Sequence, residues 1–212
     1  MKFEIKRRFM GAVKFTTEIE AQEDAPASVK LRLAVLWAIE NKVDLSGSNL
    51  SGSDLSNCDL SRSDLSNCDL SRSNLSGSNL SGSDLRGSDL SGSDLSGSNL
   101  SGSDLSRSDL SGSDLRGSNL SDCDLRDCDL SGSDLSGSDL RDCDLRDCDL
   151  RVLQTDIWTV YVQKDTIRIG CQYHSISDWG QFTDDQIANM HGRALIWWKI
   201  WKDVIFAIHA TI

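Results

Sequence analysis

The residues that could carry chemistry are three histidines, seven cysteines and a large set of aspartates. The histidines, His174, His191 and His209, lie far apart in the sequence, and we predict no zinc site from them. No nucleophile elbow, phosphate-binding loop or Cys-x-x-Cys pair is present. The sequence therefore predicts no catalytic residue, no cofactor and no metal, and we expect a protein that is not an enzyme.

The aspartates could in principle bind Ca²⁺, which prefers six to eight oxygen ligands. The Gly-Gly-x-Gly-x-Asp nonapeptide that is typical of calcium-binding solenoids is absent, however. A hydrated acidic surface is the interpretation that we favour.

The aspartates belong to a repeat that occupies residues 43–152. Leucine stands at every fifth position from Leu45 to Leu150, 22 times without a gap, in units such as Ser53-Asp54-Leu55-Ser56-Asn57. Neither a helix nor a strand keeps a period of five on one face, because their side-chain periods are 3.6 and 2. A composition rich in Ser and Gly, taken alone, is typical of disorder, but unbroken leucine periodicity indicates burial. We therefore predict a solenoid, in which short units stack and bury their leucines together.

A second period of twenty residues lies within the first. The segment 121–128 is repeated almost unchanged at 141–148, and Asn79, Asn99 and Asn119 are also twenty residues apart. This spacing predicts that four units make one coil. The 22 units then make about 5.5 coils, with a length of about 26 Å at a strand spacing of ~4.8 Å.

The fifth position of each unit predicts a corner of the coil. Gly fills it in 12 of the 22 units, which favours type II turns because Gly adopts positive φ freely. Residues such as Asn57, Arg62, Arg107 and Asp122 at the same position predict a different turn.

Six of the seven cysteines lie inside the repeat. Cys123 and Cys143, like Cys128 and Cys148, are expected to stack one coil apart at ~4.8 Å. That distance permits a disulfide, but adjacent parallel strands orient the two sulfurs poorly for the bond. We predict buried free thiols that pack as small hydrophobic groups.

The motif of a small residue, Asp or Asn, Leu and two variable positions resembles the pentapeptide-repeat protein family over all of 43–152. The resemblance implies an all-β fold, a right-handed, four-sided parallel β-helix with the leucine and the small residue inside. The small position is Ser in 15 units and Cys in six, never the Ala that is common in that family. The regularity resembles that of an idealised or designed member.

The flanks predict small mixed α/β caps at both ends, because open coil ends must be covered. We divide the chain into an N-terminal cap over 1–42, the solenoid over 43–152 and a C-terminal cap over 153–212. Both flanks are similar to the terminal segments of some phage-encoded pentapeptide proteins. The expected elements are a hairpin of Lys2–Phe9 with Val13–Ile19, a helix from Pro26 to Asn41, a hairpin of Ile157–Gln163 with Thr166–Tyr173, and helices that begin at Thr183 and Arg193.

The charge distribution narrows the possible partners. The net charge is −11, and 43–152 alone carries −12. Nucleic-acid binding needs clustered Lys and Arg, so we expect no nucleic-acid partner. No run of 18 apolar residues and no apolar segment after the basic N-terminus is present, so we expect neither a membrane span nor a signal peptide and predict a cytoplasmic protein.

These observations favour a non-catalytic structural scaffold. The alternative comes from the resemblance, because some pentapeptide-repeat proteins imitate B-form DNA and inhibit the type II topoisomerase gyrase. Over 26 Å, the charge of the repeat corresponds to about one net charge per 2 Å, against about one per 1.7 Å of duplex.

The last helix predicts self-association. On a helical wheel, Ile196, Ile200 and Ala207 lie outside the apolar arc that contains Trp197, Trp198, Trp201, Val204, Ile205, Ile208 and Ile212. One interpretation is that the N-terminal hairpin or a loop over 174–182 covers them. The other, which we favour, is a symmetric homodimer formed through this surface.

The aspartates also suggest a pH dependence. Stacking should form a column of like charges about 5 Å apart, at Asp44, Asp64, Asp84, Asp104, Asp124 and Asp144. Repulsion is expected to raise the pKa of these carboxyls, so that stability increases as the pH falls from 7.

Overall fold

The computed structural model describes all residues 1–212. The chain divides into two compact units, Met1–Cys148 and Asp149–Ile212, which are described separately.

The first unit begins with a hairpin and a helix. Strands β1 (Lys2–Arg7) and β2 (Val13–Glu18) pair antiparallel, as the alternating sequence predicts. Helix α1 (Ala27–Glu40) starts directly after Pro26, a residue that suits a helix start because its missing N–H would have no partner there. Ala34, Val35 and Ala38 are the buried face of the helix.

The repeat forms stacked coils of twenty residues. Parallel β-bridges join residues that are twenty apart, from Asn49 with Asp69 to Asp124 with Asp144. The backbone N–H of a repeat leucine donates to a carbonyl of the next coil, as from Leu50 N to Asp69 O at 2.7 Å. The next coil donates back, as from Asp69 N to Ser48 O at 2.9 Å. Four bridges and four turns make one coil, so the period of twenty in the sequence is the period of the structure.

The leucines fill the interior of the coils. Every leucine of the period from Leu45 to Leu135 is buried, together with most of the Ser and Cys residues two positions before them. Many of these small polar groups donate to backbone carbonyls of the preceding coil, as when Ser83 Oγ donates to Leu60 O at 2.8 Å and Cys68 Sγ to Leu45 O at 3.0 Å. Others donate to the leucine three residues earlier, as when Ser78 Oγ donates to Leu75 O at 2.6 Å. Cys therefore replaces Ser as a donor without loss of the bond.

The prediction of two turn types is wrong. The same hydrogen bond closes the turn at Gly and non-Gly corners, as from Ser53 N to Leu50 O at 3.2 Å and from Ser63 N to Leu60 O at 3.3 Å. Gly52 has a φ of 66°, and Arg62 has a φ of 57°. The ladder bond of this corner, Arg62 N to Ser81 O at 3.0 Å, requires the same backbone whatever the side chain. The positive φ, between 55° and 62°, is shared by all nine non-Gly corners: Asn57, Arg62, Asn67, Arg72, Arg107, Asp122, Asp127, Asp142 and Asp147.

Basic residues of the N-terminal segment cover the open edge of the first coil. Strand β3 (Ser48–Asn49) pairs antiparallel with β1. Lys14 donates to Ser46 O, and Arg32 donates to Ser56 O at 2.9 Å. These carbonyls would otherwise lack the donor that a preceding coil supplies.

The second unit is an antiparallel sheet with three helices, in which the strand order is that of the chain. The predicted hairpin and the capping box at Thr183 are present, the latter with Gln186 as its partner. The interpretation of 174–182 as a loop is wrong, because this segment ends one strand and forms a helix. The elements are β4 (Leu150–Gln154), β5 (Thr159–Gln163), β6 (Thr166–Ile169), β7 (Gln172–Ser175), α2 (Ile176–Gln181), α3 (Asp184–Met190) and α4 (Ala194–His209).

The core of the second unit lies between the sheet and α4. Val160, Val162 and Ile167 of the sheet pack with Trp197, Trp198 and Ile205 of α4 in one cluster. Because α4 lies over the sheet with one face, its opposite face has no cover within this unit.

Candidate interaction surfaces

The outer face of α4 carries an exposed apolar stripe. Ile196 is 72% exposed, Ile200 63% and Val204 42%, and Ala207 is also exposed. The sequence placed Ile196, Ile200 and Ala207 on this face, whereas it placed Val204 among the buried residues. We define these four residues as the α4 stripe. Exposed isoleucines at successive turns of one helix are unusual on a surface that meets only water.

The alternative in which the segment 174–182 covers the α4 stripe is wrong. Within that segment Trp179 and Phe182 pack against each other, with ring centroids 5.4 Å apart. Trp179 also packs on Trp198, on the inner face of α4, at 5.1 Å. The segment therefore adds to the core beneath α4 and leaves the outer face open.

Charged side chains border the α4 stripe. Asp203 is exposed and lies between the turns that carry Ile200 and Ala207. Lys199 pairs with Asp184 of α3 at 2.7 Å, at a site where both side chains are exposed. A partner surface for the stripe therefore needs apolar groups at its centre and a cation near Asp203.

The aspartates of the repeat are hydrogen-bonded within their own units. Asp54 Oδ1 accepts from Ser56 N at 3.2 Å and from Ser56 Oγ at 2.7 Å. The same arrangement recurs along the repeat, and Asn99 Oδ1 accepts from Ser101 N at 3.1 Å in the same way. Where Arg replaces Ser, the guanidinium also donates, as from Arg86 Nε to Asp84 Oδ1 at 2.8 Å.

These bonds reverse the expected pKa shifts. The hydroxyl of Ser56 lowers the pKa of Asp54, and Arg86 lowers the pKa of Asp84. Arg146 lowers the pKa of Asp144 to about 2. The prediction of raised values is therefore wrong for Asp44, Asp84, Asp124 and Asp144. The hydrogen-bond donors lower the pKa of these carboxyls more than the carboxylate one coil away raises it, because that carboxylate faces water.

The negative charge is distributed around the coil. When the units of 43–152 are sorted into four columns by their period of twenty, each column carries a net charge between −2 and −4. Five arginines pair with the aspartate two positions before them, among them Arg141 with Asp139 at 2.6 Å. No column is basic, and none dominates.

The cysteines and histidines do not assemble into a reactive centre. All seven thiols are free, as predicted, and burial raises the pKa of Cys68 to about 11 and that of Cys128 to about 12. These thiols therefore stay protonated at neutral pH and act as donors. No group of three or more His, Cys, Asp or Glu side chains is arranged to hold a metal ion. Each histidine has a separate contact, His174 and His191 with aromatic rings and His209 with Lys164 O.

The tip of the N-terminal hairpin is a second apolar surface, which the sequence analysis did not identify. Phe9 is 68% exposed and Met10 is fully exposed. Arg8, which precedes them, donates to Gly87 O at 2.8 Å and lies 3.6 Å from Asp89. Apolar residues at a turn give no periodic signal, so the helical wheel that identified the α4 stripe had no counterpart here.

None of the helices meets the length and hydropathy that a bilayer crossing requires, and the longest, α4, has 16 residues.

Comparison with known proteins gives the family of the repeat. The sequence profile of the pentapeptide repeats matches residues 41–77, 78–117 and 118–151 with eight copies, which is more than half of the chain. No curated protein matches.

Several solved structures are similar to the repeat. A pentapeptide repeat protein from the thylakoid lumen of Arabidopsis thaliana is 33% identical, with 49% of this chain and 69% of that chain covered and a TM-score of 0.40. One from Nostoc PCC 7120 is 31% identical, with 51% and 95% covered and a TM-score of 0.41. Rfr23 from the cyanobacterium Cyanothece 51142 is 24% identical, with 53% and 95% covered and a TM-score of 0.43. By its repeats, the chain belongs to the pentapeptide repeat family.

Proposed function

We propose that this protein is a non-catalytic, idealised repeat scaffold that forms a symmetric dimer through the α4 stripe. In this proposal the segment 43–152 is a right-handed, four-sided solenoid, and 1–42 and 153–212 are its caps. The observation that carries the dimer is the exposure of Ile196 and Ile200, at 72% and 63%, on a helix whose other face is buried.

The geometry of α4 supports a pairing of two copies. A two-fold axis is the commonest closed symmetry and sets the same surface against itself. If two α4 helices pair antiparallel about the middle of the stripe, Ile196 of each copy faces Ala207 of the other. Asp203, which has no ion pair within the chain, then faces Ile200 of the other copy, next to Lys199, which pairs with Asp184 of its own chain. The stripe thus offers its copy apolar groups along its length.

The basic N-terminal segment supports the assignment of 1–42 as a cap. Lys14 and Arg32 donate to carbonyls of the first coil, and β1 pairs with that coil. These contacts block the open coil edge, which would otherwise be free to pair with another chain.

The test is the mass of the particle in solution. We expect multi-angle light scattering to give twice the chain mass of 23.3 kDa for the unchanged protein. The double substitution Ile196→Glu with Ile200→Glu should reduce it to 23.3 kDa and leave the circular dichroism spectrum unchanged, because both side chains are exposed.

The matched control is the other apolar surface. Phe9→Glu with Met10→Glu should leave the dimer intact, because these residues lie outside the α4 stripe. An unchanged protein that measures as a monomer would refute self-association. A dimer that is lost on substitution of Phe9 and Met10 but kept on substitution of Ile196 and Ile200 would move the interface to the N-terminal hairpin.

A second candidate function is imitation of DNA toward gyrase. It is supported by the negative charge on all four columns of the repeat and by hydrogen bonds that keep carboxylates such as Asp84 and Asp124 ionised. One feature weighs against this candidate, since the uniform repeat has no projecting loop between Leu45 and Leu145.

A supercoiling assay separates this candidate from the scaffold. DNA imitation predicts inhibition that weakens on Asp69→Asn, Asp109→Asn and Asp129→Asn together. These substitutions remove charge from one column and keep the acceptor, as Asn99 shows. Absence of inhibition at high micromolar protein would remove the candidate and leave the scaffold.

A further inference from the structure

The second unit contains a cavity between its sheet and its helices. The cavity has a volume of about 80 Å³, and its walls include Trp158, Trp179, Trp197 and Trp198. Exposed side chains of Cys171 and His191 lie at its mouth. The cavity lies within one compact unit, on the opposite side of α4 from the α4 stripe, so it is a separate feature.

The walls of the cavity are rigid aromatic surfaces. Trp158 meets Trp197 edge to face, with centroids 5.0 Å apart, and meets His191 in the same way at 5.3 Å. Trp158 packs closely over Gly170, where an added Cβ would lie 2.9 Å from its ring. Any other residue at position 170 would displace the ring, so the lack of a side chain there shapes one wall.

The indole N–H groups of the walls differ in their partners. Trp179 Nε1 donates to Ile167 O at 2.8 Å, and Trp197 Nε1 donates to Thr155 Oγ1 at 3.0 Å. Trp198 lines the cavity and is only 4% exposed, and its indole N–H has no acceptor within the protein, although the nitrogen is not sealed from solvent. An indole N–H is a donor only, so it is available to an acceptor on a bound molecule.

The chemistry of the walls defines the class of ligand. No Asp, Glu, Lys or Arg lines the cavity, so neither an anion nor a cation finds a countercharge there. Water fits, since one molecule needs only about 10–15 Å³, and its polar partners there are Gln172, His191 and the indole N–H of Trp198, whereas the faces of the indole rings offer it no comparable hydrogen bond. A flat ring that displaces this water gains contact with the indole faces.

We propose that this cavity binds a neutral, single-ring aromatic molecule that carries a hydrogen-bond acceptor, with the acceptor oxygen bound by the indole N–H of Trp198. Benzamide is a suitable probe, since it combines the ring with a carbonyl oxygen. A molecule of this size is expected to bind with a dissociation constant on the order of 1 mM.

Nuclear magnetic resonance of the indole groups tests the proposal on the full chain. Each of the six tryptophans gives one indole N–H signal, and Trp198→Phe assigns the one from Trp198. Added benzamide should shift the Trp198 signal in a saturable way and leave that of Trp37, in the first unit, unchanged. Ala194→Leu, which fills the cavity from α4, should weaken binding at least tenfold. Ile200→Leu, on the outer face of the same helix, should not.

A further variant tests the role of the N–H. Trp198→Phe keeps an aromatic wall without the donor, so it should weaken benzamide about tenfold and leave the binding of benzene unchanged. Near-ultraviolet circular dichroism confirms that each variant is folded. The proposal fails if benzamide shifts no cavity signal at about 10 mM, ten times the expected constant. It also fails if tetramethylammonium or cyclohexane produces the same shift, or if Ala194→Leu binds benzamide as tightly as the unchanged chain.

Discussion

The repeat and the second unit bury their cores by opposite means. In the repeat, one solution recurs every five residues: a leucine enters the coil and a neighbouring Ser or Cys donates to a carbonyl of an adjacent turn. In the second unit no two core residues share an environment, since strands such as β5 meet tryptophans of α2 and α4. Local periodic contacts therefore produce a surface that repeats from coil to coil, while long-range packing produces surfaces and cavities that occur only once.

This difference explains where distinct sites are found. The repeat presents the same acceptor and the same turn on every coil, so no residue of it stands out as a site. The α4 stripe and the aromatic cavity both lie in the second unit, where the packing is irregular. The first coil is intermediate, because its outer edge meets β1 and basic side chains instead of another coil.

The largest expected effect tests the uniformity of the repeat. Leu80→Ala, Leu100→Ala and Leu120→Ala each remove a fully buried side chain from the same column, and each should cost about 2 to 5 kcal/mol. Because the three sites have the same surroundings, the three losses should agree within about 0.5 kcal/mol. Urea denaturation of each variant measures the free energy of unfolding.

The matched pair in the second unit is Ile167→Ala and Ile205→Ala. Both side chains are fully buried, but one lies in the sheet and the other in α4, so their losses should differ from each other. A spread among the three leucines as wide as that between the two isoleucines would break the comparison.

A smaller effect separates the first coil from the others. Ser88 Oγ donates to Leu65 O at 2.7 Å, so Ser88→Ala should destabilise the protein by about 1 kcal/mol. Ser48 occupies the same column two coils earlier, but no preceding coil supplies an acceptor, and its buried hydroxyl is unpaired. Ser48→Ala should therefore leave the stability unchanged or increase it. Equal losses for the two variants, measured by thermal unfolding, would show that Ser48 has a bond like that of Ser88.

The smallest effect concerns the turns. Arg107 has a φ of 62°, which costs an L-residue roughly 1 to 2 kcal/mol. Its ion pair with Asp127, at 3.9 Å between largely exposed side chains, is worth less than that strain. Arg107→Gly should therefore stabilise the protein by about 1 kcal/mol, and Gly102→Ala should destabilise it by a similar amount. A destabilised Arg107→Gly would mean that the ion pair outweighs the backbone.

The sequence predicted the features that depend on periodicity. The leucine spacing identified the interior, and the spacing of twenty identified the coil. The prediction of a different turn failed at Arg62 and Asp122. The residue type there disfavours a positive φ, but the backbone hydrogen bond to the next coil requires it, and that bond is not visible in the sequence. The prediction for the carboxyls also failed, because the column of aspartates is visible in the sequence, whereas the bonds from Ser56 to Asp54 depend on the turn.

In the second unit the missed elements are short. Helix α2 has six residues, too few for a helical period, although Ser175 and Asp178 form a recognisable N-terminal cap signal. Strand β4 begins at Leu150, which continues the five-residue period in the sequence but pairs with Gln163 of β5. Such pairings depend on long-range contacts that a single sequence does not display.

The central claim is that hydrogen bonds within a unit lower the pKa of the aspartate beside the leucine, as at Asp84, Asp124 and Asp144, so that stacking these carboxylates has little electrostatic cost. Thermal unfolding between pH 7 and pH 2.5 tests this most directly. A carboxyl whose pKa is lowered in the folded state, as at Asp84, Asp124 and Asp144, stabilises the fold above its unfolded pKa of about 3.9. We expect a nearly constant melting temperature from pH 7 to about 4.5 and a steady fall below about 4, toward the pKa of about 2 at Asp144. A melting temperature that rises as the pH falls from 7 to 4.5 would show that repulsion between the columns dominates, and would contradict the account.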